Sequence, residues 1–199
     1  MAQPQSQDVR SQILRVATRR FARQGFSGTS LQQIVDEVGI RKPSLLHYFP
    51  SKDLLLAGVL DNLFEHWAES LPALLKAVTS GRDRFEAITE ELLRFFREDP
   101  DRARLVIREL MDRPEQMADR LRGTLTPWVT LIADYIRQSQ EAGQLREKVD
   151  PESYIVHIVT LAISATAAMP VIQNALPEGD AEAQHYTELM RIARSSLFA

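Results

Sequence analysis

The chain has 199 residues, 44% of them hydrophobic and 26% charged, with a formal net charge of -3. That composition belongs to an ordinary globular protein, since a disordered one needs fewer apolar residues and a larger net charge. Cysteine is absent, which excludes a disulfide framework and a thiolate metal site.

The charge is unevenly spread. Residues 1–53 hold eight basic and four acidic side chains, a net of +4, while residues 54–199 hold 16 basic and 23 acidic ones, a net of -7. A small basic module ahead of a larger acidic one is one electrostatic footprint of a nucleic-acid binder.

Met1 to Arg10 is polar and Gln-rich, with no apolar run of a secretory signal. Val9, Ile13, Leu14, Ala17 and Phe21 then recur at helical spacing, so a helix is expected over Asp8–Gln24, ending at Gly25. Ser30 with Gln33 forms a capping-box pattern opening a short helix that Gly39 stops. Lys42-Pro43 starts a third helix through Phe49, because proline suits a first turn whose N–H groups have no partner. Ser51 opens a fourth, with Leu55, Leu56, Val59, Leu60, Leu63, Phe64, Trp67 and Leu71 on one apolar stripe.

Beyond it, helices are expected over Arg82–Glu98, Asp101–Met111, Glu115–Glu141 with a kink at Pro127, Pro151–Leu176, and from an Asp180 cap to Leu197 after a turn at Pro177–Gly179. No alternating strand pattern appears, so the fold class is all-α with about nine helices. The longest apolar stretch, Ile158–Ile172, is short of a membrane span and carries Thr160, Ser164, Thr166 and Pro170. A cytoplasmic chain without a membrane partner is expected.

The informative unit is Ser30 to Phe49: two short helices around a tight glycine turn, the shape of a helix-turn-helix. Leu31, Ile34, Val35, Val38, Ile40, Leu45 and Phe49 can hold the helices together. That leaves Arg41, Lys42, Ser44, Leu46, His47 and Tyr48 outward, the side-chain types that contact phosphates, base edges and thymine methyls in a major groove. Periodicity alone leaves open a three-helix scaffold whose polar face is merely solvated.

The stretches Gly25-Phe26-Ser27-Gly28-Thr29-Ser30, Ile34, and Gly39-Ile40-Arg41-Lys42-Pro43-Ser44-Leu45-Leu46-His47-Tyr48-Phe49-Pro50-Ser51-Lys52-Asp53-Leu54-Leu55 closely resemble the N-terminal signature of the TetR family of bacterial transcriptional regulators. The match covers about residues 10 to 56. The rest of the chain agrees in length and helix count. The resemblance implies a homodimeric repressor that binds a palindromic operator and releases it when a small molecule enters the C-terminal domain, with residues 1–50 binding DNA and 51–199 binding ligand and partner subunit. It places Lys42, Pro43, Ser44, His47 and Tyr48 at the recognition helix, Ser30 and Gln32 near the DNA backbone, and Lys52 on a phosphate. Two positions depart from the family pattern. Arg41 stands where Ser or Thr is usual, which forgoes a cap and offers a cation. Leu46 replaces an aromatic residue, commonly Tyr.

In the acidic half, the small apolar run Ala162–Ala168 with Tyr186, Leu189, Met190, Ile192, Ala193 and Leu197 marks helices 151–176 and 181–197 as the expected dimer bundle. Phe64, Trp67, Phe95, Phe96, Met111, Trp128, Tyr135, Tyr154 and Met169 lie on the helices that the family arranges around its ligand, with core packing as the alternative for each. His157, on an apolar helix face, is read as a core or ligand histidine, and Arg108, beside Arg104 and Glu109, as a contact for an anionic ligand or as half of an ion pair. The effector is expected to be largely apolar. No cofactor or metal is expected: His47, His66, His157 and His185 have no metal-ligand spacing, and no nucleophile elbow or phosphate loop occurs. The rival reading is an all-α carrier or enzyme with the first three helices as scaffold.

Overall fold

The computed structural model describes residues 4–77, 81–175 and 181–198. Among them ten α-helices follow one another: α1 Pro4–Gly28, α2 Leu31–Val38, α3 Lys42–Tyr48, α4 Lys52–Ala77, α5 Gly81–Glu98, α6 Pro100–Asp112, α7 Pro114–Thr124, α8 Thr126–Glu141, α9 Pro151–Ile172 and α10 Ala181–Leu197. The only β pairing among the described residues is one isolated bridge, Leu145 to Phe198. The turn expected at 177–179 and the Asp180 cap lie outside the described residues.

The tenth helix comes from a division of the single one expected over 115–141. Pro127 has no N–H to offer the preceding turn and its ring crowds it. The chain therefore closes α7 with Leu125 N–H on the Leu121 carbonyl at 2.7 Å, and restarts with proline in the first turn of α8. At the other end of the chain, α1 begins at Pro4, so Asp8 sits beyond the first turn and accepts a hydrogen bond from Gln12 at 3.0 Å.

Ile13, Leu14, Ala17 and Phe21 of α1 are buried, and α1 packs on α2, α4 and α6. One apolar cluster continues from them through Ile34, Leu45, Leu55 and Val59 to Phe96, Leu105 and Ala162, so the core crosses residue 50 without interruption. A second cluster, with Ala133, Ile136, Leu145, Tyr154, Leu197 and Phe198, closes the far end of the bundle.

Polar straps reinforce the seam between α1 and α6. Asp101, 5% exposed, accepts from Arg23 Nε at 3.0 Å and from Arg104 at 2.6 Å. Arg108 Nε donates to the Ala22 carbonyl at 3.2 Å. Gly25 permits this approach: a Cβ there would stand 3.0 Å from the Arg108 guanidinium. Its φ of 73° with ψ of 174° breaks α1 in a region open essentially to glycine alone, rather than in the left-handed helical one.

By length and composition, Pro151–Ala175 is long and apolar enough to cross a membrane, contrary to the expectation from Ile158–Ile172. Here it packs against α5, α6, α8 and α10, burying Tyr154, Ile155, Ala162, Thr166 and Met169 on its inner side.

Candidate DNA interface and ligand cavity

Local chemistry builds the N-terminal site. The Ser30 hydroxyl accepts from Gln33 N–H at 3.2 Å while Gln33 Oε1 accepts from Ser30 N–H at 2.8 Å, closing the capping box. Gly39, at φ 78° and ψ 30°, ends α2 in the left-handed conformation, and its N–H reaches the Val35 carbonyl at 2.9 Å. Arg41 precedes α3 with no side-chain cap, as its residue type implies.

Leu45 is buried beneath α3, and Arg41, Lys42, Pro43, Ser44 and His47 are exposed together. That surface carries two fixed cations, a hydroxyl and an imidazole, a set able to meet phosphates and base edges. Leu46 and Tyr48 are half-buried against the core, which leaves only their outer edges available. Gln32 is exposed on α2, with its amide donating to Asp36 at 2.7 Å.

Lys52 differs most from expectation. Its ammonium is turned inward, donating to the carbonyls of Phe26 at 2.8 Å and Thr29 at 2.9 Å. One N–H remains for any phosphate. The resemblance could not reveal this bracing role, because the acceptors lie 26 and 23 residues away in the chain.

The larger half holds an apolar cavity of about 180 Å³ between α4, α5, α7, α8 and α9. Of the expected ligand residues, Phe64, Trp67, Phe96, Trp128 and Tyr154 line it, as do Phe95 and Tyr135. Three do not. Arg108 points to α1, Met111 is 78% exposed at the end of α6, and His157 is exposed on the outer side of α9. Met169 is buried but off the cavity wall.

The wall adds a residue the chain order had not singled out. Arg84 shares the α5 face of Ile88, Leu92 and Phe95, a spacing that signals it in the sequence. It is the only charged side chain among the described lining residues. Burial pushes the Tyr154 phenol well above its ordinary range, so it stays neutral and donates to the Ala193 carbonyl at 2.6 Å. Behind the wall, burial raises the Glu91 carboxyl, but hydrogen bonds from Arg94 and His66 outweigh it and hold the group below its usual value. Among the described residues no group of three or more potential metal ligands is found.

Comparison with known proteins agrees with this arrangement. Residues 13–59 match the family described as bacterial regulatory proteins, tetR family, and residues 81–184 match the tetracyclin repressor-like C-terminal domain. The HTH-type transcriptional regulator RutR of Escherichia coli is 32% identical over 153 residues, covering 73% of this chain and 68% of its own. The HTH-type regulator LmrA of Bacillus subtilis is 35% identical over 86 residues, covering 43% of this chain and 46% of its own. In fold, the chain is similar to the ketosteroid transcriptional regulator KstR2 of Mycobacterium tuberculosis, with a TM-score of 0.75 at 16% identity over 96% of this chain and 95% of that one. These matches decide against the carrier and enzyme readings. The chain belongs to the tetR family of bacterial regulatory proteins and is a DNA-binding, ligand-responsive transcriptional regulator.

Proposed function

We propose that the protein is a cytoplasmic homodimeric repressor whose first 50 residues hold a palindromic operator and whose remaining residues bind a largely apolar effector and the second subunit. The observation that carries this reading is the presence of both parts around one continuous core: an exposed polar α3 surface at one end and an apolar cavity at the other, joined through α6. Two α3 helices, one per subunit, would enter successive major grooves about 34–36 Å apart. Arg41, Lys42, Pro43, Ser44, His47 and the outer edges of Leu46 and Tyr48 are the proposed groove contacts. Ser30, Gln32 and the remaining N–H of Lys52 are the proposed backbone ones.

Support for the dimer comes from the outer sides of α9 and α10. Val156, Leu161, Val171 and Ile172 are 48%, 38%, 74% and 45% exposed, and Ile192 is 43% exposed. Water contact over such a stripe is unfavourable, and a second copy would cover it symmetrically. The effector would act by favouring a dimer whose α3 spacing no longer fits the operator, to the extent that it binds that state more tightly.

A gel-shift titration against the DNA upstream of its own coding region tests the reading. Expected is salt-sensitive retardation that specific competitor removes and random DNA does not. Weak binding, equal for every sequence, would overturn it.

A further inference from the structure

The chain has eight Phe, four Tyr and two Trp. Nine of these line the cavity, both Trp among them, and in residues 51–199 Tyr186 alone stands off its wall. A core needs apolar volume, which Leu, Ile and Val supply as well, so the gathering of rings around one chamber asks for a further reason. The rings meet one another edge to face: Trp67 on Phe95 at 5.4 Å, Phe95 on Phe96 at 5.1 Å and Phe85 on Phe198 at 5.4 Å between centroids. In that geometry the positive edge of one ring meets the negative face of the next, and a guest ring can continue the pattern.

Three polar side chains of the wall are engaged with the protein itself. Thr89 donates to the Phe85 carbonyl at 2.8 Å, Tyr154 donates to that of Ala193 at 2.6 Å, and the Arg84 guanidinium lies over the Tyr135 ring, 5.2 Å from its centre. Almost no polar surface faces the chamber. An ionised group entering it would exchange water for a wall with little to offer a charge, which is costly. The volume of about 180 Å³ is slightly above the roughly 150 Å³ of an apolar cavity that takes one benzene.

We propose that the cavity selects an uncharged compound built on a single aromatic ring. The inference rests on the reading of this cavity as the effector site, and it narrows the effector from apolar in general to aromatic and un-ionised. An edge-to-face contact with a guest ring adds roughly two- to tenfold to binding beyond what burial of its area gives. A saturated ring of similar outline makes no such contact, and an anion of similar outline loses hydration that the wall does not replace.

Isothermal titration calorimetry of the full-length protein compares p-xylene, 1,4-dimethylcyclohexane and 4-methylbenzoate, which are similar in outline and differ in aromaticity or charge. The binding constants of the two hydrocarbons are each divided by the constant for transfer from water to hexadecane, so that hydrophobicity as such cancels. On that scale p-xylene is expected to exceed dimethylcyclohexane about three- to tenfold, and its direct affinity should exceed that of 4-methylbenzoate at least about tenfold. The ranking is read on the wild type. Ile88→Trp, which fills the chamber from α5, should abolish binding of both hydrocarbons, with thermal unfolding as the control for folding. Equal scaled binding of the two hydrocarbons, or 4-methylbenzoate bound as tightly as p-xylene, overturns the selection while leaving the cavity as an effector site. Undiminished binding in a folded Ile88→Trp places the guest elsewhere and overturns it too. Selective binding of p-xylene that leaves a gel-shifted operator complex intact upholds the selection and overturns the effector reading instead. Binding of none of the three overturns both.

Discussion

The ammonium of Lys52 stands 4.2 Å above the centre of the Phe26 ring and 2.8 Å from the Phe26 carbonyl oxygen. Arg113 approaches the same ring at 4.1 Å. The last turn of α1, just ahead of the helix-turn-helix, is thus held by a cation from α4 and another from the junction of α6 and α7.

Loss of this brace should be measurable. Lys52→Ala removes a charged donor from two carbonyls and is expected to cost about 1–3 kcal/mol in urea unfolding. If the remaining N–H meets a phosphate, the variant also weakens binding to all DNA sequences and lowers the salt slope by about one unit. An unchanged slope, with stability reduced, would confine Lys52 to bracing.

His47 is exposed and, among the described residues, its only ring contact is an edge-on one with Tyr48, at 5.6 Å between centroids. His47→Ala should therefore leave thermal stability unchanged while reducing the preference for operator over random DNA by about 1–3 kcal/mol, as loss of one base contact does. Equal loss on both DNAs would move His47 to the phosphates.

Asp101 couples the two halves electrostatically, with Arg23 of α1 on one side and Arg104 on the other. Its side chain is 7% exposed but that of Arg23 is 61% exposed, so solvent screens part of the pair. Asp101→Ala is expected to destabilise the protein by about 1–2 kcal/mol and to reduce the effect of a ligand on operator binding. An unchanged urea midpoint would remove this pair from the coupling.

Glu109 is buried, and burial raises its carboxyl despite the Arg113 charge and hydrogen bond. With a folded value above the unfolded one, the folded state holds the proton more tightly, so stability rises as pH falls through the folded value and levels off below the unfolded one. Relative to Glu109→Gln, the wild type should gain stability between neutral and mildly acidic pH. Urea midpoints of both proteins at several pH values measure this difference, and a relative loss on acidification would reverse the assignment. The opposite, depressed shift at Glu91 is common to both proteins and cancels in the comparison.

Leu161→Glu places a charge within the apolar stripe on α9. Burial of an unpaired carboxylate between subunits is costly, so sedimentation should find monomer where the wild type is a dimer, together with weakened operator binding. A dimer that survives Leu161→Glu would put the interface elsewhere.

What the sequence by itself determined is the chemistry that neighbours along the chain decide. The Ser30–Gln33 box, the left-handed Gly39, proline in the first turn of α3 and the uncapped Arg41 all follow from residues within four positions of one another. So does the exposure of Lys42, Ser44 and His47 on α3, opposite Leu45, whereas Leu46 and Tyr48, expected outward, are half-buried against the core. Only the tertiary structure decided which faces meet. It turned Lys52 onto Phe26 and Thr29, sent Arg108 to α1 instead of the cavity, left Met111 and His157 outside, and brought Arg84 over Tyr135. Periodicity states which residues share a side of a helix, but not which neighbouring helix covers it; that depends on packing between segments tens of residues apart, whose pairing only the complete core selects.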